Sequence, residues 1–589
     1  MLEDRPAAVT DRQANATPSG SSLVPLVIGV TGHRDLMEAE IPGIEVRVRD
    51  FFSGLQERYP NLPLRVMSPL AEGADCLVGR VARELGIPLT VPLPMPVELY
   101  EQDFSGPEAL AEFRDLSAAG ECFELPLVPG NTSESIAEHG HARDLQYGQV
   151  GTYLAAHSHI LLAVWDGEPS DLMGGTAQVV QFHQYDVMRG FTAEDRRARL
   201  HFTADESDLV YHIFCSRAGA AQRNPDACKV EWLTSDQVKP RTLYLPAGYV
   251  EIFRRMEEFA EDLDNHEDLI QAESWPLYQA QDEVHLRDGA QRIDRVFRAA
   301  DCLANRYQKR VQTALLMIYS SAAAAGICFV AYADLEALEV MIYPYLGFLS
   351  LSVVLAYLVG RNDWQRRYLE YRALAEGLRV QFYWSVAGVR QVGDTKYTHD
   401  TYLLSQDIEL GWIRNVMRVT GARADIGGGP VPESALQWVM DEWVGDEVSG
   451  QTSYFKRKRA ERERTHNMTR KIGRGAFLLA ALAATVLAFS PADFTDAGRN
   501  GLIAAMGLLP LLAVIRETYA QKRADRELVR QYQFMHGIFS RAYRMLAATD
   551  DADQQHHILR SLGSAALEEV SEWLLRLRDR PLQSAGTPT

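Results

Sequence analysis

The chain has 589 residues, with 60 Lys and Arg against 79 Asp and Glu, a formal charge of −19. At roughly 150 residues per domain this length holds about four domain-equivalents, and 47% apolar with 24% charged residues excludes a disordered chain, a coiled-coil rod and a collagen-like repeat. The acidic balance argues against broad nucleic-acid binding, which needs a basic face, and six cysteines without Cys-x-x-Cys spacing point to neither a disulfide scaffold nor a zinc site, a usage that suits a reducing cytosol.

Residues 1–22 are polar and lack the apolar centre of a signal peptide, so they read as a tail. From 23 to 245 short apolar runs alternate with helical stretches, the pattern of a parallel α/β sheet domain. Strands are predicted over 26–32, 64–70, 87–94, 159–167 and 211–217, with helices over 41–59 and 76–85 and Asp75 at the N-cap of the second. In open α/β sheets ligands sit at the carboxyl ends of strands, over the first turns of the helices that follow. Three exits carry suitable chemistry: Gly32, His33 and Arg34; then Gly73 and Asp75; then Gly174, Gly175 and Thr176. Glycine lets a phosphate approach the backbone, a helix start offers free N–H groups and the positive end of its dipole, and a guanidinium can pair bidentately with an anion. Each exit has an ordinary reading too, as a plain turn, a loop histidine or a helix cap. Their shared position in one sheet points to a nucleotide or related phosphate ligand. Asp166 and Glu168 follow the fourth strand, where acidic residues are common without catalysis; Asp166, at a strand exit, is also a ligand-binding candidate.

Residues 246–312 read as a helical connector. The uncharged runs 313–333 and 340–360 contain 21 residues each, which at 1.5 Å per residue cover roughly the 30 Å of a bilayer core. Pro344 falls in an early helix turn, where proline is tolerated. The runs 475–489 and 501–515 hold 15 residues each, the second with Pro510 expected to kink it, and span only ~22 Å, a length that also suits a buried soluble helix. Lys309, Arg310, Arg361, Arg366 and Arg367 flank the first pair, and Arg470, Lys471, Arg474, Arg516, Lys522 and Arg523 the second. The turns carry Asp334, Glu336 and Glu339, then Asp493 and Asp496 with Arg499. Lys and Arg stay cytoplasmic, so the expected fold is a Rossmann-like α/β domain followed by an all-α membrane region. That region has two transmembrane hairpins, at 313–360 and 474–516, and cytosolic helices over 361–473 and 517–580. A tail follows at 581–589, and both termini are inside.

Tyr368, Tyr371, Leu374, Leu378 and Phe382 form one apolar stripe, with Glu370, Arg372, Glu376 and Arg379 placed for surface ion pairs. A basic helix, an apolar pair and a charged helix occur twice, a layout that suggests duplication with little residue identity. The stretch 421–432, containing Gly427, Gly428 and Gly429, reads as a loop. The basic run 456–471 abuts an apolar segment, which favours lipid contact or positive-inside bias over nucleic-acid binding.

The series GVTGHRD, SPLAEGAD, AVWDG with GGTAQVVQFH, and VYHIFCSR resembles the SLOG superfamily over about 220 residues. That Rossmann-like group includes the LOG nucleotide phosphoribohydrolases and nucleotide-sensing domains of bacterial immunity proteins and melastatin-type TRP channels. The resemblance implies a nucleotide-derived ligand held by Gly32, Gly73, Asp75, Gly174, Gly175 and Thr176. The hydrolase branch carries PGGxGTxxE, whose glutamate serves N-glycosidic cleavage; here one glycine is missing and Val179 stands three after Thr176. A valine moves no proton, so binding is expected to survive and hydrolysis to be lost. ANRYQKR before the first apolar pair and YRALAEGLRVQFYW after it resemble the SLATT family of two-helix membrane effectors over 293–391; the second pair matches only in layout. Together the resemblances imply a homo-oligomer of a bacterial cytoplasmic membrane, from a conflict system, that permeabilises the bilayer when a nucleotide messenger binds. No cofactor, metal or nucleic acid is expected. The alternatives are a membrane-tethered nucleotide N-glycosidase of the LOG type and a passive membrane scaffold.

Overall fold

The computed structural model describes residues 20–192, 207–219, 223–236, 239–279, 286–334, 336–389, 402–403, 408–424, 431–489, 494–522 and 525–578. Most of the expected tail at 1–22, the tail at 581–589, the loop glycines 427–429, Asp493 and Arg523 lie outside the described residues.

The segment LVIGVTG forms β1 (Leu26–Gly32), buried along nearly its whole length, as an apolar run does at the centre of a sheet covered on both faces. The chain continues through α1 (Ile41–Arg58), β2 (Leu64–Met67), α2 (Ala74–Glu84), β3 (Leu89–Leu93), α3 (Val97–Tyr100), α4 (Pro107–Ala119), β4 (Glu121–Glu124), α5 (His141–Ala156), β5 (Ile160–Trp165), α6 (Thr176–Tyr185), β6 (Val210–Phe214), β7 (Val230–Leu233) and β8 (Arg241–Thr242). The sheet order is β4-β3-β2-β1-β5-β6-β7-β8. The first six strands are parallel, and β7 and β8 add antiparallel.

The five expected strands are present, and the sheet is mixed rather than wholly parallel. The strands missed in sequence are short and lie toward the two edges. β4 reads ECFE and is largely exposed, so it has no apolar run to announce it. The strand expected over 64–70 ends at Met67: the Leu70 N–H donates to Ser68 Oγ at 3.0 Å, and Leu70 turns with φ +55°. Strand order reverses about β1, with β2 on one side and β5 on the other, and this opens a crevice at their carboxyl ends.

The helical part comprises α7 (Ala247–Asn265), α8 (Glu267–Glu273), α9 (Asp288–Asp334), α10 (Ile342–Arg361), α11 (Trp364–Ala387), α12 (Gly411–Gly421), α13 (Glu433–Val439), α14 (Gly450–Phe489), α15 (Asp496–Lys522), α16 (Asp525–Leu546) and α17 (Ala552–Arg578). The apolar runs are sections of longer helices. α9 has 47 residues and α14 has 40, lengths of ~70 and ~60 Å at the standard rise. Helices α9, α10, α14 and α15 are long and apolar enough to cross a membrane, and only 6–22% of their apolar windows is buried within the protein. The short third run is therefore the apolar end of a long basic helix, and α15 continues through Pro510 without ending.

α9 packs on α10, α14 on α15, and α9 on α15. Ser321 Oγ and Ser352 Oγ lie 2.6 Å apart between α9 and α10. A Cβ at Gly326 of α9 would fall 2.3 Å from Leu511 of α15, so glycine sets that close approach. α11 departs from the expected single stripe. Leu369, Glu370, Ala373, Ala375, Val380 and Trp384 are buried as well as Tyr371, Leu374, Leu378 and Phe382, because α9, α12 and α17 all pack on it.

Candidate functional site

The reversal of strand order places a cavity of about 510 Å3 at the carboxyl ends of β1 and β5, within the ~300–1,000 Å3 of small-molecule sites. Eight of the nine candidate residues line it: Gly32, His33, Arg34, Asp75, Asp166, Gly174, Gly175 and Thr176. The ninth, Gly73, lies beneath. It has φ +90°, and a Cβ there would stand 2.3 Å from the Arg34 carbonyl oxygen, so this glycine supports the loop that presents Arg34.

The three strand exits play different parts. Asp75 is not a helix cap: Gly73 is the N-cap of α2, and Asp75 lies inside the first turn. Ser68 Oγ donates to its carboxylate at 3.3 Å. Burial raises its pKa to about 7, against the opposing pull of Ser68, the Arg34 charge and the backbone N–H groups of Ala71 and Gly32. The Ala74 N–H is taken by the His33 carbonyl at 3.1 Å. The start of α2 thus holds its own carboxylate where an incoming anion would otherwise sit.

The start of α6 is different. Gly175, its N-cap, has no side chain to cap with, and Thr176 begins the helix beside the cavity. An uncapped first turn leaves backbone N–H groups for a ligand. Gly174 has φ +70°, and a Cβ there would lie 2.5 Å from the Tyr147 carbonyl carbon. The glycine pair therefore seats the loop against α5, and its identity is structural before it is ligand-specific. Across the cavity, the Asp166 N–H donates to His33 Nε2 at 3.3 Å, with the Asp166 carboxylate 3.2 Å from the same nitrogen. This pair ties the exits of β1 and β5 together.

Several lining residues escaped the sequence reading, notably those of α5. The Arg34 guanidinium lies 5.3 Å from the centroid of the Tyr147 ring. The Tyr147 hydroxyl hydrogen-bonds Asp103, and Asp103 pairs with buried Arg143 at 2.8 Å. Asp35 and Arg217, also at the cavity, pair with each other at 3.2 Å. Arg34 is thus held by an aromatic face and is free of carboxylate contacts within 4 Å among the described residues, a fit for an anion. The available signal was Gly148 and Gly151, three apart in α5: Cβ atoms there would meet Phe191 at 2.8 Å and Val179 at 2.7 Å. Val179 itself is buried against α5, three residues after Thr176, and offers no proton-transfer group.

The other end of α5 leaves the sheet domain. Tyr153 OH donates to the Ala422 carbonyl at 2.7 Å, and His157 Nδ1 lies 3.2 Å from the Arg418 carbonyl. Just beyond, His159 Nδ1 accepts from the Val27 N–H at 2.9 Å, so its Nε2–H donates to the Asn415 carbonyl at 3.0 Å. Burial pushes both histidines down to about 4. One helix therefore lines the cavity from Asp144 to Leu154 and touches α12, or the loop just past it, at its carboxyl end. α12 in turn packs on α7, α9 and α11.

No protein family, curated protein or solved structure matches this chain. The class defined by the observations is an α/β sheet domain with a carboxyl-end cavity, joined to helices of membrane length.

Proposed function

We propose that this protein is a ligand-gated membrane effector, with a SLOG-like sheet domain that binds a nucleotide-derived messenger and a SLATT-like helical region that opens or assembles a pore. The observation that carries this reading is α5, which forms a wall of the cavity and reaches α12, packed on the membrane-length helix α9. Arg34 and the uncapped start of α6 are the anion-binding elements, and Asp166 with His33 closes the opposite side. Two hairpins, α9–α10 and α14–α15, cross a bacterial cytoplasmic membrane with both termini inside, as the flanking Lys and Arg favour. The active form is a homo-oligomer. Ligand drives the change only through higher affinity for that form.

The test is ion flux from liposomes carrying the full chain, with a panel of mononucleotides, dinucleotides and ADP-ribose analogues on the cytoplasmic face. A ligand-dependent flux lost in Arg34→Ala is expected; no flux with any of them counts against the reading. The alternative, a membrane-tethered N-glycosidase, has Val179 where its glutamate would stand, and release of free base by the purified chain would establish it instead.

A further inference from the structure

A second cavity, of about 670 Å3, lies where α14, α15 and α16 meet, far from the sheet domain in sequence. His466 and Arg470 line it from one face of α14, Glu517 and Gln521 from one face of α15, and Arg526 and Glu527 from the start of α16. Arg470 precedes the apolar run of α14 by five residues and Glu517 follows that of α15 by two, offsets of ~8 and ~3 Å along a helix. The cavity therefore sits at headgroup depth if α14 and α15 enter a bilayer.

Among the described residues, His466, Arg470, Glu517 and Arg526 have no ion-pair partner within 4 Å. Three of the cations flanking the first pair of apolar runs do have partners: Lys309 pairs with Glu273 at 3.7 Å, Arg366 with Glu258 at 2.6 Å and Arg367 with Asp262 at 2.7 Å. The open cavity offers guanidinium groups and carboxylates together. A purely anionic headgroup would satisfy the arginines and meet repulsion from Glu517. A choline headgroup carries no N–H for that carboxylate. A phosphate joined to a primary ammonium satisfies both.

We infer that this cavity binds the headgroup of a phosphoethanolamine lipid, its phosphate on Arg470 and Arg526 and its ammonium on Glu517. The assignment rests on the membrane reading of α14 and α15 and is independent of the ligand cavity in the sheet domain. Delipidated full chain in detergent is titrated with phosphatidylethanolamine, phosphatidylglycerol and phosphatidylcholine of identical acyl chains, and bound lipid is counted by native mass spectrometry. Phosphatidylethanolamine is expected to bind at least tenfold more tightly than either of the others. Glu517→Gln removes its advantage over phosphatidylglycerol, and Arg470→Gln weakens every lipid. Equal ranking in the wild type, or a preference for phosphatidylglycerol, overturns the proposal without any variant. Water-soluble phosphoethanolamine displacing the lipid at equal concentration overturns the lipid assignment. Flux that responds to nucleotide while lipid ranking is flat would sink this inference and leave the proposed function standing; the reverse result would do the opposite.

Discussion

In the first helical unit, α9 to α11, Arg366 and Arg367 beyond the membrane-length helix α10 reach carboxylates of α7, whereas in the second unit, α14 to α16, the cations ahead of the apolar run of α14 are exposed. Arg255 of α7 is 6% exposed and pairs with Glu370 of α11, itself 1% exposed; Arg366 reaches Glu258 at 2.6 Å and Glu370 at 3.3 Å, and Trp412 Nε1 donates to Glu370 at 3.0 Å. Asp262 accepts from Tyr307, Tyr371 and Arg367 at 2.6–2.8 Å. By contrast Arg470, Lys471 and Arg474 are exposed along α14. Two units with one layout thus meet different surroundings: the first is joined to α7 through buried charge, while the second leaves its charge exposed.

The largest effect that would break this comparison is the loss of the buried network. Glu370→Ala leaves Arg255 with Glu251 and Glu409, Arg366 with Glu258, and Trp412 Nε1 without its acceptor, and removing one partner of a buried pair costs up to about 3–5 kcal/mol. Thermal unfolding in detergent should fall by several degrees. Arg470→Ala, on an exposed face, should change stability by less than about 0.5 kcal/mol. Equal losses at the two positions would erase the distinction between the units.

The joint between sheet domain and first unit should also respond to acid. His157 and His159 titrate near 4 when folded and near 6.5 when unfolded, so the unfolded chain binds more protons between these values. Their contribution is whole above about pH 6.5 and is lost as pH falls toward 4, on the order of 3 kcal/mol for each histidine. His159→Gln can still accept from Val27 and donate to Asn415, and should flatten that part of the curve of melting temperature against pH. An unchanged slope would place the acid sensitivity elsewhere.

At the ligand cavity the expected effect is smaller in stability and visible in binding. Arg34 is exposed and held only by the Tyr147 face, so Arg34→Ala should leave folding nearly intact. It should weaken an anionic ligand by roughly 10–100-fold, the worth of one charge-assisted hydrogen bond. Calorimetric titration of the full chain with the nucleotide that drives flux reads this directly, and unaltered affinity would remove Arg34 from the site.

Much of this cavity was legible because its residues follow apolar strands. β1 and β5 are continuous apolar runs, so their exits, with Gly32, His33, Arg34 and Asp166, could be placed before any coordinates. Asp75 was legible as a position and not as a role, since only the fold brings Ser68 and the Gly32 N–H to its carboxylate. Tyr147, Asp103 and Arg143 were not legible. α5 buries Arg143 and Gln146 beside glycines, so its sequence HARDLQYGQVGTYLAA shows no clean apolar period, and the partners that satisfy those polar groups are distant in the chain. The same limit hid the network on Glu370, which the helical spacing of α11 suggested as a surface charge.

The smallest prediction sharpens the comparison inside the apolar layer. Ser321 and Ser352 join α9 to α10 through a 2.6 Å hydroxyl contact, and Ser352 also donates to the Ile318 carbonyl at 3.3 Å. Ser321 also bonds back to the Met317 and Ile318 carbonyls of its own helix at 2.8 and 3.0 Å, and in α14 Thr485 bonds back to the Ala481 carbonyl at 2.8 Å. A hydroxyl contact between membrane helices contributes about 0.6 kcal/mol, whereas a hydroxyl bonded back to its own helix adds nothing to the contact between helices. Ser321→Ala should therefore loosen α9 against α10 by that amount, and Ser321→Ala with Ser352→Ala should cost no more than Ser352→Ala alone, since Ser352→Ala already removes the shared contact together with the bond to Ile318. Thr485→Ala should be neutral. A double-mutant cycle on detergent-solubilised protein measures the coupling, and additive losses at the two serines would show that the hydroxyls act separately.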